Sequence, residues 1–136
     1  MSATQITPQD AFTLLRNQKS AILVDVRTQE EFNLVGVVDA QSFENRMLLL
    51  PLFNLPDMHL NPEFSLQLSQ KATLDQELLF ICRSGYRSNQ ACEFANSLGF
   101  KKCYNIINGF EGDLDINQHR SSLNGWKVSQ LPWRQQ

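Results

Sequence analysis

Cysteine is scarce and oddly counted in this sequence: three residues, Cys82, Cys92 and Cys103, with no Cys-x-x-Cys pair. An odd number without that spacing argues against a disulfide framework and a structural zinc site, and it suits a reducing compartment with at least one free thiol. Histidine is rarer still. His59 and His119 stand apart, without a spaced partner for a metal or a triad, and neither is assigned a role. No apolar run reaches the length that spans a bilayer. The opening Met1-Ser2-Ala3-Thr4-Gln5 lacks the basic and apolar regions of an export signal, so the expectation is a soluble, cytoplasmic protein with no membrane association. Basic charge is not in excess either: Lys and Arg number 12 against 14 Asp and Glu, a formal net charge of −2. Nucleic acid is therefore not an expected partner, and any anion this protein handles must be held by local groups. No internal repeat or low-complexity tract is present.

What is there describes one globular domain, residues 1–136, with 42% hydrophobic and 19% charged residues. Thr7-Pro8-Gln9-Asp10 announces a helix to about Asn17, with Thr7 as cap and Pro8 at the first helical position. Ala21-Ile22-Leu23-Val24 is too short for a helix and reads as a strand buried on both faces, ending in Asp25-Val26-Arg27. Thr28 and Glu31 then form a capping box that opens a short helix through Leu34. Val37-Val38 reads as a short strand, while the apolar residues from Phe43 to His59 show no clean period and leave a lid or a partner surface open. Asn61-Pro62-Glu63 starts another helix through Ala72. Leu78 to Ile81 is a buried strand, Cys82 to Arg87 a loop, and Ser88 to about Leu98 a helix ended by Gly99. Cys103 to Ile107 gives a further strand, followed by an Asn108-Gly109-Phe110 turn. Strands alternating with helices predict an α/β fold: a mostly parallel sheet with helices on both faces.

In such sheets, sites gather at the carboxyl ends of strands, where the loop from Cys82 to Arg87 lies. A strand, a tight loop and a helix N-terminus can direct successive backbone N–H groups into one cup, which stabilises an anion and favours a cysteine thiolate. Arg83 and Arg87 add positive charge suited to an oxyanion, and Gly85 allows backbone that other residues resist. Nucleophile, cup and charge thus fall within six residues.

At this segment the chain resembles the rhodanese superfamily: Ile81-Cys82-Arg83-Ser84-Gly85-Tyr86-Arg87-Ser88 matches its active loop. Ile22 to Arg27 with Glu30-Glu31-Phe32 is similar to its N-terminal signature, and Asn108-Gly109-Phe110 to its segment after the last strand. The ending, Asn124 to Lys127 and Leu131 to Trp133, is similar to tails of bacterial single-domain members. The resemblance implies a rhodanese-like fold with a central five-stranded sheet. It implies sulfur transfer through a persulfide on Cys82, with Arg83, Ser84, Gly85, Tyr86, Arg87 and Ser88 around the substrate. It also implies a six-residue loop sized for sulfur, where related phosphatases use seven. Arg83 stands where mercaptopyruvate-type loops have glycine, so thiosulfate-like anions are the expected donors, with Arg83 or Arg87 holding the sulfite leaving group and a thiol or cyanide-like acceptor. No metal or organic cofactor is implied. One departure stands out: many members have Gly-His-Ile after the first signature, and this chain has Gly36-Val37-Val38 and Ala40-Gln41-Ser42-Phe43, so altered packing is expected there.

The remaining chemistry-bearing residues have simpler readings. Cys92 and Cys103 fit core packing, with Cys92 as a resolving thiol the alternative. Asp25, Arg27 and Glu31 read as a structural ion-pair network. Trp126 and Trp133 are expected to pin the tail to the body, with a partner site at an exposed tryptophan the alternative. Three functions remain: a thiosulfate sulfurtransferase, a relay module passing persulfide between proteins, and a phosphatase or arsenate-type reductase disfavoured by loop length.

Overall fold

The computed structural model describes residues 3–136. In chain order the elements are β1 (Thr4–Ile6), α1 (Pro8–Asn17), β2 (Ile22–Asp25), α2 (Gln29–Val35), β3 (Val37–Val38), a 3₁₀ turn (Gln41–Phe43) and β4 (Met47–Leu49). Then come β5 (Phe53–Asn54), β6 (His59–Leu60), α3 (Phe64–Lys71), β7 (Glu77–Ile81), α4 (Tyr86–Ser97), β8 (Lys102–Ile106) and β9 (Trp133–Arg134). Five strands form a parallel sheet in the order β1-β8-β7-β2-β4. The caps expected of α1 and α2 are present: Thr7 accepts from the Asp10 N–H, and Thr28 and Glu31 close a reciprocal capping box.

Alternation along the central strands builds two cores, because successive side chains point to opposite faces. Val24, Leu78 and Phe80 face one side, where Phe64 and Leu68 of α3 and Ala91, Cys92 and Ala95 of α4 cover them. Leu23, Leu79 and Ile81 face the other, against Ala11 and Leu15 of α1, Phe43, Phe110 and the fully buried Trp126. Continuously apolar strands are thus explained by burial on both faces. No helix among the described residues is long and apolar enough to cross a membrane.

The structure departs from expectation at the sheet edges. Val37-Val38 is a strand but lies outside the main sheet, pairing antiparallel with Trp133-Arg134 of the tail. Both edge positions belong instead to three-residue strands, β1 and β4, from stretches with no strand pattern. Helix α3 starts at Phe64 rather than at Pro62, because Asn61 Oδ1 accepts from the Glu63 N–H and holds Pro62 in a turn. Helix α4 starts at Tyr86, two residues earlier than expected, which puts Arg87 on its first turn.

Chain order in the sheet reverses between β2 and β7: from β2 the chain goes out to β4, then returns through α3 to β7 on the other side. The loops leaving these adjacent parallel strands diverge and open a crevice at their carboxyl ends. Asp25 is in register with Ile81 there, and the Val26 N–H donates to the Ile81 carbonyl at 3.0 Å, so the segments around Asp25 and Cys82 are neighbours.

Candidate active site

Cys82 follows directly on β7, and the loop after it folds back over its own sulfur. The Gly85 N–H donates to Cys82 Sγ at 3.2 Å. This curl needs Gly85 at φ +112°, a left-handed conformation that side chains resist. Gly85 is also the N-cap of α4, so the first-turn amides of that helix, which have no acceptor within it, open toward the loop. From behind, the turn after β8 fixes the loop: the Phe110 N–H donates to the Cys82 carbonyl at 2.8 Å, and the Glu111 and Gly112 N–H groups to that of Arg83 at 2.9 and 3.1 Å. Gly109 makes this approach possible, since a Cβ there would overlap the Cys82 and Arg83 backbone.

The two arginines of the loop have different surroundings. Arg87 is half-buried and spends both terminal nitrogens on Glu31 of α2, Nη1 to Oε1 at 2.6 Å and Nη2 to Oε2 at 2.8 Å. Burial opposes ionisation of Glu31, but the hydrogen bonds and charge of Arg87, with the Thr28 N–H and hydroxyl, outweigh it and hold the carboxyl at about 2 instead of 4.5. Glu31, Cys82 and Asp25 in turn favour the charged form of Arg87, against the effect of its own burial. Arg83 is exposed, and among the described residues its side chain makes no hydrogen bond or ion pair.

The expected network of Asp25, Arg27 and Glu31 is therefore two separate pairs. Asp25 and Arg27 are fully buried and bonded to each other, Nη2 to Oδ2 at 2.7 Å, and Arg27 also donates to the Gly36 carbonyl and lies 4.4 Å over the Phe110 ring. Glu31 is not part of that pair and reaches across instead to Arg87, at the end of the Cys82 loop. Glu31 reads from the sequence as one network with Asp25 and Arg27, whereas its ion-pair partner, Arg87, is 56 residues away.

A cavity of about 370 Å³ opens beside Cys82. Arg83, Ser84, Tyr86 and Arg87 line it, and so do Phe53, Met58 and Gln90. The first two belong to the β5–β6 hairpin and its turn, within the stretch that carried no clean period. Tyr86 is 75% exposed and stands at the rim. Ser88 is fully buried and lies beneath the sulfur, with its Oγ 3.2 Å from Cys82 Sγ. Asn105 of β8, 2.5 Å from that hydroxyl, is a further polar neighbour; a buried asparagine inside Cys103-Tyr104-Asn105-Ile106-Ile107 was its only signal.

The other cysteines lie in the apolar core between α4 and β8. The neighbouring Cys103 and burial push the Cys92 thiol up, away from the reactive thiolate, and the Cys103 thiol donates to the Phe100 carbonyl, so the setting is that of core packing.

Comparison with known proteins agrees with this architecture. The family described as "Rhodanese-like domain" matches residues 7–114. An uncharacterized protein of Rickettsia prowazekii, RP600, is 37% identical over 134 residues, covering 98% of this chain and 99% of that protein. The thiosulfate sulfurtransferase GlpE of Haemophilus influenzae is 29% identical over 112 residues, 82% of this chain and 89% of that protein. The crystal structure of Rv0390 from M. tuberculosis superposes with a TM-score of 0.91 at 37% identity, covering each chain completely. With its parallel five-stranded sheet, the cysteine at the end of β7 and the loop wrapped over the sulfur, this chain belongs to the rhodanese-like family.

Proposed function

We propose that this protein is a sulfurtransferase that carries a sulfane sulfur on Cys82. The observation that bears most weight is the loop itself: Cys82 Sγ accepts the Gly85 N–H within a six-position loop, while Arg83, unpaired among the described residues, lines the same cavity. The Cys82 thiolate attacks the outer sulfur of thiosulfate or a similar donor. A new S–S bond forms, the bond to the sulfonate sulfur breaks, and sulfite leaves with the electron pair. An acceptor thiolate or cyanide then attacks the outer sulfur of the persulfide, and Cys82 departs as thiolate, ready for another cycle. In this reading Arg83 holds the departing sulfite, a role supported by the Arg87–Glu31 pair, which takes both terminal nitrogens of Arg87. The role of Arg87 is to hold α2 against the loop and to keep positive charge near the sulfur.

One observation favours a second reading, protein-to-protein relay of persulfide. Met58, 41% exposed, and Tyr86, 75% exposed, line the cavity, and Leu60 of the same hairpin, 52% exposed, lines a neighbouring one with Phe53 and Gln90, an apolar character that a small anion does not use.

Steady-state transfer with thiosulfate and cyanide tests the first reading. Cys82→Ser abolishes thiocyanate formation, and Arg83→Ala lowers kcat/KM for thiosulfate by about tenfold to a hundredfold, the value of one charge-assisted contact. Wild-type protein that turns over only when loaded by a partner desulfurase favours the relay. Undiminished turnover by Cys82→Ser contradicts both.

A further inference from the structure

A line of polar side chains leads away from Cys82 that sulfur transfer as written does not use. Ser88 Oγ is 3.2 Å from Cys82 Sγ and donates to Asn105 Oδ1 at 2.5 Å. Asn105 Nδ2 donates to Gln5 Oε1 at 2.8 Å. Gln5 Nε2 in turn donates to the Ala3 carbonyl at 3.2 Å and to Asn89 Oδ1 at 2.9 Å. Ser88 and Asn105 are buried, and Gln5 lies at the exposed edge strand β1.

The far end of the line fixes the direction of every proton in it. A backbone carbonyl can only accept, so Gln5 must turn its NH₂ toward Ala3 and its oxygen toward Asn105. Asn105 must then present its NH₂ to Gln5 and its oxygen to Ser88. An amide oxygen also only accepts, so the single hydroxyl proton of Ser88 is committed to Asn105. What Ser88 offers Cys82 is a lone pair. The form of Cys82 that fits is the thiol, donating S–H to Ser88. A thiolate would face that lone pair, unless the hydroxyl swung to sulfur and left Asn105 Oδ1 buried without a donor.

We propose that Asn105 is a positioning residue which, through Ser88, holds Cys82 as a thiol at rest and sets the pH at which it ionises. It opposes the Gly85 N–H and the Arg87 charge, both of which favour the thiolate. No proton passes along the line, because an amide oxygen is not a base at neutral pH. The Cys82 proton leaves through the cavity to solvent, and the Ser88 hydroxyl turns to the sulfur as the anion forms. This rests on Cys82 as the reactive thiol but needs no sulfur donor, so its failure is distinguishable from failure of the transfer reaction.

The charged groups around Cys82 are Asp25 with Arg27 after β2, Glu31 of α2, Arg83 of the loop, Arg87 of α4, Glu111 after β8 and the Asp57–His59 pair of the hairpin. The substitutions below alter none of them, so their contributions are common to every variant compared.

The test is the rate of alkylation by iodoacetamide across the pH range, read by intact mass, with Cys82→Ser identifying the reporting thiol. In Asn105→Ala the freed hydroxyl can donate to sulfur, and the midpoint pH falls, giving about tenfold more thiolate at a fixed pH below it. Asn105→Asp keeps the acceptor and adds negative charge, so the midpoint rises; a mere packing defect would move both variants the same way. Ser88→Ala removes the acceptor of the thiol proton, and its midpoint falls. Gln5→Ala, at the exposed edge, releases the Asn105 amide and moves the midpoint down by less, which keeps the test decisive if buried variants fail to fold. A midpoint that rises in Ser88→Ala, or that stays put across the Gln5 and Asn105 variants, overturns the proposal.

Discussion

Glu31 does two jobs with one carboxylate. It closes the capping box of α2 through Thr28, and it takes the paired nitrogens of Arg87, joining that helix to the loop that carries Cys82. Because its folded value of about 2 lies below the ordinary 4.5, the ion pair contributes full stability above about pH 4.5 and loses it as pH falls toward 2. Glu31→Gln should therefore cost on the order of 2 kcal/mol at neutral pH, after allowance for partial exposure of the pair. That cost should shrink as the wild type is acidified through this window. Thermal unfolding of both proteins against pH checks it; a constant gap down to acid pH would remove the pair from the account. Arg87→Ala should damage stability as well as activity, since it leaves Glu31 half-buried without its partner, whereas Arg83→Ala should affect donor use alone.

At the scale of elements, the Cys82 loop is held by two constraints of opposite kind: a left-handed glycine inside it and a tight turn behind it. Gly109→Ala places a methyl group against the Cys82 and Arg83 backbone, so the loop must move. The variant should lose several kcal/mol of stability and most of its activity together, measurable by denaturant unfolding beside the transfer assay; retained activity would show that the turn does not set the loop. These elements were legible in the sequence because their reasons are local. Leu78 to Ile81 announces a strand by composition, Thr28 and Glu31 announce a cap by spacing, and Cys82 to Arg87 packs its chemistry into adjacent residues. What was not legible depends on distant partners. Strands β1 and β4 have three residues each and exist by pairing with β8 and β2. Val37-Val38 found its partner in the tail. Phe53 and Met58 line the cavity only because a hairpin carries them there, and Glu31 groups with Asp25 and Arg27 in the sequence because nothing in its neighbourhood points to Arg87.

The whole molecule supports its loop from the far end of the chain. The Trp126 N–H donates to the Gly109 carbonyl at 2.8 Å and the Lys127 N–H to that of Phe110 at 3.2 Å, and Phe110 in turn holds the Cys82 carbonyl. Trp126 fills the core beneath α1, with its indole N–H on the Pro132 carbonyl at 2.9 Å. Lys127 Nζ lies 4.0 Å over the Trp133 ring, and burial lowers its pKa. Tail, turn and loop are thus one mechanical series. Trp126→Ala should cost about 3–5 kcal/mol by calorimetry or denaturant unfolding, and should lower transfer activity in the fraction that remains folded. Full activity in that folded fraction would uncouple the tail from the site.

The central claim is that Cys82 carries the sulfur, and the most direct measurement is intact mass of the purified protein before and after thiosulfate, then after cyanide, with Cys82→Ser in parallel. The account predicts a gain of one sulfur atom in the wild type, its removal by cyanide, and no gain in the variant. A sulfur that attaches equally to the Cys82→Ser protein would contradict it.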